Sequence, residues 1–82
     1  MSKSFWLINS NRSYVKRFTR NDANEDRFYD YIFIDDGKLI GLFGKEPPIM
    51  KKREEVKIDQ ARKIWSRLLQ QGWRRTTPIW EN

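Results

Sequence analysis

Ala61-Arg62-Lys63-Ile64-Trp65-Ser66-Arg67-Leu68-Leu69 sets its five apolar residues at i, i+3, i+4, i+7 and i+8, which is one stripe of an α-helix. Ile58 extends the stripe if the helix starts early. Asp59 suits the N-cap, and Gly72 stands where a left-handed residue ends a helix, followed by Trp73 to pack back onto it. An amphipathic helix at this position needs an apolar surface to cover, and the residues before it must build that surface.

Upstream the pattern is that of strands. Residues 5–9 are short and apolar, Asn9-Ser10-Asn11-Arg12-Ser13 supplies turn formers, and Tyr14-Val15-Lys16-Arg17-Phe18 resumes with β-branched and aromatic residues, predicting a first hairpin. Asn21-Asp22-Ala23-Asn24-Glu25-Asp26 is a polar, acidic connection. Tyr31-Ile32-Phe33-Ile34-Asp35 and Lys38-Leu39-Ile40-Gly41-Leu42-Phe43 flank Asp36-Gly37, a pair suited to a type I′ turn, and predict a second hairpin in which Gly41 marks a bulge or a close backbone approach. Gly44-Lys45-Glu46-Pro47-Pro48 is expected to end the sheet, because proline cannot donate to a ladder. Residues 49–58 are mostly charged and read as either an extended edge segment or a mobile arm. The expected fold is α+β, a small antiparallel sheet of about four strands in two hairpins with one C-terminal amphipathic helix packed on one face. Residues 1–82 form a single small domain in this reading, with 76–82 as a C-terminal tail. The second sheet face is polar, covered by the tail, or a partner surface.

Composition narrows the function. Of 82 residues, 38% are hydrophobic and 15% aromatic, enough to bury a core despite 34% charged residues. There is no Cys and no His, so thiol chemistry, disulfides, zinc sites and imidazole acid–base catalysis lose their usual groups. No apolar run approaches the roughly 20 residues of a membrane-spanning helix, and a cytoplasmic protein without a membrane partner is expected.

Enzyme signatures fail on their spacing. Gly37, Gly41 and Gly44 form neither a dinucleotide fingerprint nor a P-loop, and turn or strand roles explain them better. Asp22-Ala23-Asn24-Glu25-Asp26 opens like a calcium loop, but Arg27 stands where glycine is required and Phe33 where a bidentate glutamate is required. Asp35 and Asp36 are adjacent carboxylates with no third group spaced to tune either. The expectation is a non-enzymatic protein with no cofactor and no metal.

Charge is unevenly distributed along the chain. Residues 1–20 carry five positive charges and no negative ones, residues 21–50 are net −4, residues 51–75 are net +6, and the whole chain is +6. Lys51, Lys52 and Arg53, then Arg62, Lys63 and Arg67 on the outer side of the helix, then Arg74 and Arg75, could make one continuous basic surface that draws phosphate backbones or acidic protein faces. An ordinary solvated helix face, partly neutralised by Glu54, Glu55 and Asp59, accounts for the same charges. Trp65 lies on the apolar stripe and belongs to the core, and Trp6 and Trp73 are read the same way. Trp80, behind Pro78, is either a lid pinning the tail or an exposed anchor.

The C-terminal third carries the pattern Ala61-x-x-x-Trp65-x-x-Leu68-x-x-x-Gly72-Trp73-Arg74-Arg75 followed by Pro78-x-Trp80, with Trp6 near the start, Asp36-Gly37-Lys38-Leu39 in the middle and Glu46-Pro47-Pro48 after it. In these features the chain resembles a family of short proteins of unknown function from marine picocyanobacteria. The resemblance covers most of the chain and is most specific between Trp65 and Trp80. It implies a cytoplasmic cyanobacterial or cyanophage protein, a free-standing domain with no known catalytic residue or cofactor. The partner expected from the charge is nucleic acid, through Lys51, Lys52, Arg53, Arg62, Lys63, Arg67, Arg74, Arg75 and Trp80. The alternative is a protein-interaction adapter or small regulatory subunit that presents the same residues to an acidic protein.

Overall fold

The computed structural model describes residues 3–41, 45–78 and 80. Within them the elements run β1 (Ser4–Ile8), β2 (Tyr14–Arg20), β3 (Tyr31–Lys38), β4 (Ile49–Lys57), α1 (Ile58–Gln70) and β5 (Arg74–Thr76). They form one antiparallel sheet in the order β4-β3-β2-β1-β5 with a single helix, so the α+β architecture holds with five strands instead of four. No helix among the described residues is long and apolar enough to cross a membrane.

The first hairpin forms where the turn residues place it. Asn9 Oδ1 accepts the backbone N–H groups of Ser13 (2.8 Å) and Tyr14 (2.9 Å), and Arg12 takes a positive φ of 59°. A short polar side chain thus supplies the acceptor that a tight turn lacks. The acidic connection is ordered in the same way around Asp26, which accepts from the Phe28 N–H (2.8 Å) and the Tyr31 hydroxyl (2.7 Å). These bonds, led by the one from Phe28, hold the Asp26 carboxyl below its usual value.

The second hairpin is corrected. Asp36-Gly37 does not turn; β3 runs straight through both residues, and its partner is β4, with a register shift at Asp36/Gly37. Gly37 packs closely there against three side chains. A Cβ built on it would lie 2.8 Å from Met50 Sδ, 3.1 Å from Val15 Cγ2 and 3.3 Å from Pro48 Cβ. Tight packing across the ladder therefore overrides the local turn preference of Asp-Gly. Gly37→Ala is expected to cost about 1–3 kcal/mol through overpacking against the fully buried Val15, read as a lower urea midpoint. An unchanged midpoint would show that Met50 and Pro48 yield freely.

Gly41 lies outside any strand, at φ +82° in the connection after β3. The strand residues assigned to Leu42 and Phe43, and the sheet-ending role given to Gly44, lie outside the described residues. Pro47 and Pro48 do not close the sheet; they lead into β4, so residues 49–57 are the extended edge segment.

The helix begins at Ile58 with Lys57 as its cap, so Asp59 is not the N-cap. The Ile58 N–H is satisfied by the Asp30 carbonyl at 2.9 Å, and Asp59 lies in the first turn, where a negative charge complements the helix dipole. The end matches expectation. Trp73 N–H bonds to the Leu68 carbonyl (3.0 Å) and Gly72 N–H to the Leu69 carbonyl (3.1 Å), with Gly72 at φ +95°. These are the two bonds of a Schellman stop, which then feeds the chain into β5.

Two clusters sandwich the sheet. Leu7, Phe18, Ile34, Val56, Ala61 and Leu68 are buried on the helix side, with Ile32, Ile64, Trp65 and Trp73 packed against them. Leu69, on the predicted stripe, is exposed. Trp6, Ile8 and Val15 are buried on the opposite side, beneath Leu39 and Trp80.

Candidate nucleic-acid interface

Strand alternation fixes which side chains share a face. Phe5 stands opposite Phe18 and Leu7 opposite Lys16 in the β1–β2 ladder, so Phe5, Leu7, Phe18 and Arg20 point to the helix side. The helix itself lies over β3 and β4. Between its N-terminal half and the helix face of β1 and β2 a groove of about 570 Å³ is left open. Phe5, Phe18, Ile32, Ala61 and Trp65 form its floor, and Lys3, Arg20 and Arg62 its rim. Phe18 and Trp65 meet edge to face at 5.0 Å, which fixes the inner wall. Phe5 remains 45% exposed, with the Arg75 guanidinium 5.4 Å from its ring centre.

No carboxylate lines this groove among the described residues. Arg20 is engaged by Asp30 (2.8 Å) and Asp22 (3.3 Å), and Arg62 lies 3.8 Å from Asp59. These pairs are solvent-exposed, and such contacts are worth little and exchange readily. Lys3, Lys63, Arg67 and Arg75 make no ion pair among the described residues. A second cleft of about 330 Å³, by Trp73 and Lys51, is less hospitable to an anion. Its wall contains Asp36, whose carboxylate holds Lys16 at 2.6 Å.

The opposite face carries a different arrangement. Asp35, with a side chain 5% exposed, accepts hydrogen bonds from Arg17 on β2 (Nε and Nη2, both 3.1 Å) and Arg53 on β4 (Nε 2.6 Å, Nη2 3.1 Å). Arg53 stacks over Phe33 at 4.1 Å, and Arg17 over Trp6 at 5.3 Å. Burial pushes the Asp35 carboxyl up, but the bonds from Arg53 and Arg17 outweigh it and hold it below the usual carboxylate value. Asp35 in turn raises Arg53. Trp80 meets Trp6 edge to face at 5.2 Å, so it is the lid on this side of the sheet. The Trp6 indole N–H is buried without a hydrogen-bond partner among the described residues.

A family model described as a protein of unknown function, DUF1651, matches residues 4–80. The chain belongs to the DUF1651 family. No curated protein and no solved structure matches it.

In this DUF1651 chain the basic residues singled out from sequence do not form one continuous surface. Arg62, Lys63 and Arg67 share an exposed ridge of α1. Lys52, opposite Asp36, and Arg75, opposite Leu7, point to the same side, and Lys51 lines the second cleft there. Arg53, opposite Asp35, and Arg74, opposite Ile8, point the other way, as does Trp80. Lys51–Arg53 and Arg74–Arg75 also stand on opposite edges of the sheet, four strand spacings or roughly 19 Å apart. Arg75 therefore faces away from Trp80 across the sheet, and Arg74 shares its side. The groove adds Lys3, Phe5 and Arg20, which sequence reading left out. The available signal was parity: Phe5 and Arg20 are each two residues from a core position, Leu7 and Phe18.

Proposed function

We propose that this DUF1651 protein is a non-enzymatic binding protein that meets nucleic acid through the helix side of its sheet. What supports the reading is one arrangement: Lys3, Arg20 and Arg62 line a groove whose lining holds no carboxylate, Arg75 lies over its Phe5, and Lys63 and Arg67 carry the positive charge on from Arg62 along the exposed ridge of α1. Of the residues singled out from sequence, Lys52, Arg62, Lys63, Arg67 and Arg75 belong to this site, with Lys51 beside it. Arg53, Arg74 and Trp80 stay outside it, Arg53 because it braces Asp35 and Trp80 because it caps Trp6. A cytoplasmic setting suits such a partner, and the resemblance in the segment from Trp65 to Trp80 implies a cyanobacterial or cyanophage source.

The test is a titration of labelled oligonucleotides at two salt concentrations. Log K should fall with log salt by about 0.7–0.9 per phosphate contacted, with little dependence on sequence. No binding at low salt would refute the reading.

A second reading, an adapter for an acidic protein segment, is favoured by β4. It is an open sheet edge carrying Lys51 and Lys52, with Ile49 (50%) and Met50 (38%) exposed beside them. Binding of a poly-glutamate peptide without binding of any oligonucleotide would select it.

A further inference from the structure

We infer that the groove is a stacking site for unpaired bases, so that the protein selects single-stranded nucleic acid over duplex; this rests on the nucleic-acid reading above and specifies its substrate class. The starting point is the exposure of Phe5. β5 pairs only as far as Trp6, opposite Thr76, and the helix lies over β3 and β4, so apart from the Arg75 guanidinium neither element covers the Phe5 ring. At 45% exposure it presents a flat aromatic surface to solvent, beside the Phe18–Trp65 pair that holds the inner wall rigid.

Charge placement says which occupant this suits. A purely apolar ligand would need no cations at the rim, yet Lys3, Arg20 and Arg62 line the groove and Arg75 lies over Phe5. An aromatic floor with cations spaced around it matches a base with its phosphates, the combination by which single strands are held without sequence preference. Guanidinium groups such as Arg75 and Arg62 can also stack on a base face while meeting a phosphate. At about 570 Å³ the groove is in the size range of a small-ligand cleft. A duplex cannot use it without extruding a base, because paired bases already stack on each other.

The experiment uses the full chain with labelled oligothymidylate and a mixed-sequence duplex of equal length. The unmodified protein should bind the single strand more tightly at every salt concentration. Phe5→Ala and Phe5→Leu should each lower oligothymidylate affinity roughly tenfold, the loss of one stacked base, while leaving the salt slope unaltered. Arg62→Gln should do the converse, reducing the slope by about 0.7. Phe5→Leu retains an apolar side chain of similar size, so it keeps the test valid if Phe5→Ala unfolds. Oligothymidylate binding unaffected by Phe5→Leu, or equal affinity for duplex, would overturn base stacking while leaving nucleic-acid binding in place. No binding to either probe would overturn both.

Discussion

Replacing Arg17 and Arg53 together with Met should lower stability by about 3–5 kcal/mol at neutral pH, because it leaves the Asp35 carboxylate buried without a counter-charge. For a chain of this length, at about 0.05–0.15 kcal/mol per residue, that is a large share of the total. The asymmetry of the triad makes the arginine side the sensitive one. Asp35 is enclosed, whereas the side chains of Arg17 and Arg53 are 27% and 52% exposed and can turn to water if Asp35 is removed. Asp35→Asn should therefore cost less than the double arginine variant.

The pH dependence should also invert. In the unmodified protein the folded-state pKa of Asp35 is depressed, so its contribution is present above the unfolded value near 3.8 and is lost as pH falls through the lower folded value. Without the arginines, burial alone acts and raises the folded pKa. The variant then becomes more stable as pH falls and less stable as pH rises through that raised value. Urea melts across the acid range would decide it. A variant with unchanged stability and the original acid dependence would mean that Asp35 is not held by these arginines.

Leu7→Ala is the second large effect, expected at about 2–5 kcal/mol. Leu7 is fully enclosed, on β1 between β2 and β5, in contact with the cluster that joins the sheet to α1. Neighbouring strands constrain collapse into the vacated space, so the cavity penalty adds to the lost transfer energy. The urea midpoint should drop with the slope nearly constant. A native-like midpoint would show that the helix-side core can repack around alanine.

Sequence reading captured the elements that announce themselves through side-chain period or backbone chemistry. The helix is an example, because Ala61, Ile64, Trp65 and Leu68 recur at its pitch and Gly72 supplies the conformation its stop needs. β4 gave no such signal. Eight of its nine residues are exposed and only Val56 is buried, so its strand identity comes from backbone pairing with β3 and not from alternation. Asp36-Gly37 misled because its local turn preference is satisfied in isolation, while the close packing at Gly37 comes from Met50, Val15 and Pro48, all of them distant in sequence. The candidate site was legible as charge and illegible as geometry. Adjacent residues of a strand face opposite ways, so Lys52 parts from Arg53 and Arg74 from Arg75. Phe5 was overlooked because an apolar residue in a strand is ordinarily assigned to a core.

The strand order also has a timing consequence. β1 through β4 pair with their sequence neighbours, and only β5 returns to the beginning of the chain, setting Thr76 against Trp6. The four-strand meander can therefore pair before Arg74–Thr76 and Trp80 have returned to β1. For that interval the outer edge of β1 offers unpaired amides to any neighbouring nascent chain, and Trp6 lacks its covering ring. Chains folding close together would expose several such edges at once, so the yield of folded protein would depend on the concentration at which it folds as well as on the stability of the finished molecule.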